Sequence, residues 1–167
     1  CHSGCTTGSR GVGILTEKAL PFVIQQRWVD SSGVYAALSG RWEGQTLHII
    51  SAYVPPRLHE NMLPELSALL LQPIAILLLG GDFNLTLKAD QDRWPVRWTA
   101  STRSPLADFL MALGLNDIWR THNPYILQYT YHSGVHGSIS RIDYLFTQVN
   151  DLHHYAYSKH LARGISD

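Results

Sequence analysis

The chain has 167 residues, which at roughly 150 residues per domain predicts a single domain, and its 45% hydrophobic content suits a globular core. Charged residues make up only 16%, with 13 basic against 13 acidic. This balance excludes a disordered acidic tail, a supercharged arm and a general basic coat for nucleic acid, so any anionic partner must be held by a local patch.

At the start of the chain Cys1 and Cys5 are too few and too close for a disulfide framework or a four-ligand zinc site. They read as reduced thiols of an intracellular protein. Alternation after a glycine turn in Ser9-Arg10-Gly11-Val12-Gly13-Ile14-Leu15 predicts a first strand. Phe22-Val23-Ile24 and Val34 to Leu38 follow, separated by the turn formers Asp30-Ser31-Ser32-Gly33. Thr46 to Tyr53 makes a fourth strand, stopped by Pro55-Pro56, which cannot donate to a ladder. The first third thus reads as an antiparallel meander.

Leucines and Met62 at helical spacing predict a helix over 61–71, with Pro64 accepted in its first turn and Pro73 ending it. The apolar run Ile74 to Leu79, closed by Gly80-Gly81, predicts a strand buried on both faces. Together the stretch from Leu69 to Leu79 is interrupted by Gln72 and Pro73 and falls short of the roughly 20 residues needed to cross a bilayer. No segment has the form of a signal peptide, so no membrane partner is predicted. A polar loop runs from Lys88 to Arg103. Ser104-Pro105 then reads as an N-cap with proline at the first helical position, with Leu106, Phe109, Leu110 and Leu113 on the apolar face and Gly114 closing the helix. Two last strands are predicted over 128–132 and 139–146, joined by the turn-rich Ser133 to Ser138. Cys1 in place of methionine and the untapered Gly164-Ile165-Ser166-Asp167 read as a domain cut at both ends. Strands outnumber helices and each helix lies between strands, which predicts an α/β sandwich of packed, mainly antiparallel sheets with flanking helices.

Four places could carry chemistry. In Gly80-Gly81-Asp82-Phe83-Asn84 an acid and an amide two positions apart close a buried strand, where α/β proteins build sites. The same residues read equally as a turn in which Asp82 and Asn84 bond their own backbone. In Ser140-Arg141-Ile142-Asp143-Tyr144-Leu145-Phe146, alternation puts Arg141 beside Asp143 on one face and Ile142, Tyr144 and Phe146 on the other; a surface ion pair is the plain reading. Ser166-Asp167 and Tyr53 are weak alone. His132 and His136 are four apart, but Gly134 argues against a helical metal pair, and they read as loop residues.

Taken in order, Ser51-Ala52-Tyr53-Val54-Pro55, Gly80 to Asn84, Ser140 to Tyr144 and Ser166-Asp167 resemble the endonuclease/exonuclease/phosphatase superfamily, the DNase I-like fold. Asp92-Arg93, Leu115 to Pro124 and Tyr129-Thr130-Tyr131 are most similar to the endonuclease domain of vertebrate LINE-type retrotransposons. The resemblance covers essentially the whole chain as one partial domain, 1–167. It implies hydrolysis of a phosphodiester with a divalent metal, Mg2+ or Mn2+, and nicking of DNA inside the nucleus, in a parent protein fused to a reverse transcriptase.

By this resemblance Asp82 activates the water, Asn84 helps hold it and the scissile phosphate, and Tyr53 donates to a phosphate oxygen. Asp143 orients a catalytic histidine, Asp167 lies at the metal and Ser166 supports the phosphate. Thr130, Ser140 and Arg141 meet the DNA backbone, and the loop from Ser133 to Ser138 probes the minor groove. The family's first-strand asparagine and metal-binding glutamate have no counterpart here; Glu17 and Glu43 lie after the point where the match begins. Its catalytic histidine follows the Ser-Asp pair, where this sequence ends at Asp167. The expectation is little turnover by the isolated chain and sheet edges prone to association. Two other readings share these residues: a DNA-binding remnant without catalysis, using the basic aromatic segment around Arg93, Trp94, Arg97, Trp98 and Arg103, or the same fold acting on abasic DNA, RNA or a phosphorylated small molecule.

Overall fold

The computed structural model describes residues 2–4, 11–70, 76–96 and 104–160. A short antiparallel ribbon opens it, β1 (His2–Gly4) with β2 (Gly11–Gly13). Three of the four strands of the predicted meander follow as β3 (Phe22–Val29), β4 (Tyr35–Trp42) and β5 (Gln45–Tyr53), all antiparallel; the first, β2, pairs with β1 instead. After helix α1 (His59–Leu70) the chain returns as β6 (Ile76–Asp82), which pairs parallel to β5. Then come β7 (Arg93–Trp94), α2 (Pro105–Leu113), β8 (Leu115–Asp117) and α3 (Ile118–His122). The hairpin of β9 (Tyr131–Ser133) and β10 (Ser138–Ser140) leads into β11 (Asp143–Gln148), and a 3-10 turn spans Val149–His154.

Six strands form the main sheet in the order β3-β4-β5-β6-β11-β8, and β7-β10-β9 form a smaller one. The β1-β2 ribbon lies against β4 and β5. Ala36, Ala37 and Leu38 on β4 are all fully buried, so this strand is covered on both faces, whereas β3 alternates as an edge strand does. The parallel step from β5 to β6 requires a crossover, and α1 supplies it. Met62, Leu63 and Leu66 of α1 and Leu106, Phe109 and Leu110 of α2 share one apolar core with Ile50, Ala52, Leu79 and Phe146 of the sheet. Gly114 closes α2 in the left-handed conformation, φ 63°, as a C-terminal glycine does without steric cost.

The departures from the sequence reading are local. Pro64 lies in the second turn of α1, because the helix starts at His59 rather than 61. The predicted single strand over 139–146 is two: β10 ends at Ser140, β11 begins at Asp143, and Arg141 and Ile142 carry the chain from the small sheet to the large one. The loop from Lys88 to Arg103 contains β7, held by its pairing to β10. Elements β8 and α3 had no periodic signal long enough to read. Residues 9–10 of the first predicted strand, Ile74 and Ala75 of the buried run, and Arg97, Trp98 and Arg103 lie outside the described residues. No helix among the described residues is long and apolar enough to cross a membrane.

Candidate active site

Three adjacent strands of the main sheet bring the predicted residues together. Tyr53 at the end of β5 is in register with Asp82 at the end of β6. Asp82 is in turn opposite Asp143, the first residue of β11. The three residues are thus cross-strand neighbours, their backbones one strand spacing of roughly 4.8 Å apart. The backbone knits this corner: Val54 N–H donates to the Asp82 carbonyl at 2.8 Å and Phe83 N–H to the Ile142 carbonyl at 2.9 Å.

The glycines before Asp82 are required by close approach. Gly81 has φ +146°, and a Cβ there would stand 1.8 Å from the Ala52 carbonyl oxygen, while one on Gly80 would press the Leu145 side chain at 2.7 Å. Beyond Asp82 the chain turns with Asn84 at φ 50°, a left-handed conformation that asparagine tolerates better than most residues. The turn reading of this motif is realised. Asn84 N–H donates to Asp82 Oδ1 at 2.9 Å, and Asn84 Nδ2 donates to the Val54 carbonyl at 3.1 Å. One oxygen of the carboxylate is thereby fixed. Burial pushes the Asp82 carboxyl above its ordinary value against the Asn84 N–H, and the negative charge of Asp143 raises it further.

Thr130 is placed beneath Asp143. Its Oγ1 accepts the N–H groups of Ile142 at 3.1 Å and Asp143 at 3.2 Å, so it fixes the start of β11. Ser140, half-buried on β10, faces Arg93 and Tyr131. Arg141 departs from the expected position. It is not a surface partner of Asp143 turned toward DNA; it is 1% exposed. Its Nε donates to Asp92 Oδ1 at 2.9 Å, and its Nη1 lies 2.6 Å from Asp117 Oδ2 as an ion pair out of hydrogen-bond alignment. Arg120 Nη2 reaches the same Asp92 oxygen at 2.9 Å. The step between β10 and β11 breaks the alternation that placed Arg141 beside Asp143. Asp167 and Ser166 lie outside the described residues.

Sequence reasoning gave no role to Asp92, Asp117, Tyr144 or His160. Tyr144, buried, has its hydroxyl at 2.8 Å from the Arg141 carbonyl and 3.1 Å from the Leu85 carbonyl, and accepts Leu87 N–H at 3.1 Å. It ties the loop after Asn84 to the β10–β11 step, and burial raises its pKa strongly. His160 stacks on Trp119 with ring centroids 4.4 Å apart and borders a small pocket shared with Asp143. Asp92, Asp117 and Tyr144 each lie in a stretch that carries the resemblance, but nothing in their spacing names a partner.

The resemblance implies a metal near Asp167. Among the described residues no group of three His, Cys, Asp or Glu side chains comes together to hold an ion. Asp82 and Asp143 form a pair only, so the described residues do not in themselves make a metal centre.

No family model matches the chain. A 113-residue stretch, 64% of the chain, is 34% identical to the transposon TX1 uncharacterized 149 kDa protein of Xenopus laevis, of which it spans 8%. Among solved structures, the AP endonuclease LMAP from Leishmania major superposes with a TM-score of 0.57 at 14% identity, over 75% of this chain and 49% of that one. The endonuclease domain of TRAS1, a telomere-specific non-LTR retrotransposon, gives 0.53 at 17% identity over 72% and 52%. The D. rerio TDP2 complexed with single-strand DNA product gives 0.52 at 15% identity over 76% and 53%. The chain thus spans about half the length of the solved proteins it matches. The resemblance drawn from the motifs stands: this is the DNase I-like α/β fold.

Proposed function

We propose that the chain is the catalytic region of a metal-dependent phosphodiesterase that nicks DNA for a retroelement. The observation that carries this reading is the register of Tyr53, Asp82 and Asp143 across β5, β6 and β11. A carboxyl whose proton affinity is raised by burial is a stronger base than an exposed one. In the proposed reaction a water oxygen bonds to phosphorus while its proton passes to Asp82. The ester P–O bond breaks, and the leaving oxygen takes up a proton from solvent water, to which Asp82 later returns its own. Tyr53 donates to a non-bridging phosphate oxygen, and Asn84 Oδ1 positions the water. A divalent ion, magnesium or manganese, is part of the proposal and supplies neutralisation of the phosphate charge.

The identity to the Xenopus transposon protein supports a retroelement setting; action in the nucleus and a reverse transcriptase in the same protein are part of the proposal. Substrate class is tested with the protein that carries this chain, by cleavage of intact duplex, abasic duplex, RNA and an inositol phosphate side by side with magnesium present. Preference for intact duplex is the expected result. Preference for any of the other three would reassign the substrate, and cleavage of none would reduce the chain to a DNA-binding remnant.

A further inference from the structure

Tyr144 follows Asp143 on β11 and, by the alternation of a strand, belongs to the opposite face. It is 4% exposed and part of the core, so it is not a group that meets substrate. Its ring meets Phe83, the residue between Asp82 and Asn84, edge-on with centroids 6.1 Å apart, and lies 5.2 Å from Phe146 in a near-parallel stack. The Arg141 guanidinium carbon stands 4.5 Å from its centroid. Held by these three contacts, the ring fixes where its hydroxyl sits.

That hydroxyl is a junction between two stretches of chain. Its one proton goes to the nearer carbonyl, that of Arg141 at 2.8 Å, and it accepts the Leu87 N–H at 3.1 Å, with the Leu85 carbonyl at the same distance. The loop that leaves Asn84 is thus fastened to the step that leads into Asp143. At the head of that loop Asn84 has φ 50°, a conformation that costs a non-glycine residue free energy and persists only where its surroundings fix it. In that conformation the Asn84 N–H holds Asp82 Oδ1.

We propose that Tyr144 is a positioning residue of the candidate site: its hydroxyl clamps residues 85–87 to the β10–β11 step and so holds the turn in which the Asn84 N–H fixes Asp82 Oδ1. The inference rests on the nuclease reading for the reaction that this clamp serves, and the clamp itself rests on the geometry alone.

The test compares Tyr144→Phe, which keeps the ring and removes the hydroxyl, with the parent, in the protein that carries this chain. Two readouts are taken: plasmid-nicking kinetics with magnesium, and hydrogen exchange read by mass spectrometry over residues 83–87 and over β6. Loss of the clamp is expected to lower kcat roughly tenfold with KM unchanged. Protection over 83–87 is expected to fall by about tenfold, the scale of one hydrogen bond, while β6 keeps its parental protection. Leu110→Ala, a truncation of the buried face of α2, is the control for a purely structural role, expected to lower the melting temperature and leave kcat unaltered. A Tyr144→Phe variant that nicks at the parental kcat, or whose exchange rises equally over 83–87 and β6, would overturn the clamp while parental nicking left the nuclease reading standing. A parent that nicks nothing would overturn the nuclease reading, and the exchange contrast would then decide the clamp by itself.

Discussion

Asp82 and Asp143 face each other in antiparallel register at the ends of β6 and β11, so two like charges leave the sheet at the same level. Their repulsion adds to burial in holding the Asp82 carboxyl above its ordinary 3.8. The folded state then binds this proton more tightly than the unfolded state. Asp82 therefore favours folding below 3.8 and loses that contribution as pH rises through its folded midpoint. Carbon-detected NMR is expected to find the midpoint above 3.8 and to find it lowered, though not to the ordinary value, in Asp143→Asn. A wild-type midpoint at or below 3.8 would contradict this geometry.

Gly81→Ala is expected to cost ~3 kcal/mol, because its Cβ would collide with the Ala52 carbonyl oxygen in a backbone conformation that L residues rarely adopt. Urea denaturation measures it. Gly44→Ala is the control: φ there is also positive at +86°, but a Cβ meets nothing within 4 Å, so the loss is confined to about 1 kcal/mol of backbone strain.

The Asp92–Arg141–Asp117 network predicts a large stability effect away from the reacting groups. Arg141→Met leaves the buried Asp117 without its cation and Asp92 with Arg120 alone, and is expected to destabilise by about 3–5 kcal/mol. The double variant that also removes the Asp117 charge, Asp117→Asn with Arg141→Met, is expected to recover part of that loss, since the carboxylate left without a cation is gone while Asp92 keeps Arg120. A single variant as stable as the parent would show that the network is solvated.

How much of this was readable beforehand depended on whether a residue's partner was local. The β3-β4-β5 meander, α2 with its Ser104-Pro105 start and Gly114 stop, and the turn at Asp82–Asn84 are set by neighbours within a few positions, and the structure has them. Arg141 pairs with Asp92, 49 positions away, and no spacing rule reaches that far; alternation placed it beside Asp143 because the change of sheet at Ile142 leaves no mark in the sequence. The elements β8 and α3 are three and five residues long, shorter than any periodicity can register. The alignment of Tyr53 with Asp82 needed the parallel pairing of β5 and β6, which follows from the crossover through α1 and not from either strand.

His48 predicts an acid-side loss of stability. It is 5% exposed, lies against Trp28 with ring centroids 5.3 Å apart, and its Nε2 has no hydrogen-bond partner among the described residues. Burial lowers its pKa below the ordinary 6.5. The unfolded chain therefore takes up the proton first, so stability is intact above 6.5 and falls as pH drops from there toward the folded value. His160 is lowered too, by burial and by Arg141, and its slope has the same sign. His48→Leu is expected to flatten part of the decline in melting temperature between neutral and mildly acid pH; an unaltered decline would show that His48 is not its source.

The central claim is that Asp82, aligned with Tyr53 and Asp143, serves phosphodiester cleavage. It is tested most directly by incubating supercoiled plasmid and magnesium with the protein that carries this chain, alongside its Asp82→Ala variant, and measuring open circles. The account predicts nicking by the parent and a loss of at least a hundredfold in the variant, the scale of a general base. Nicking that survives Asp82→Ala at the parental rate would contradict it.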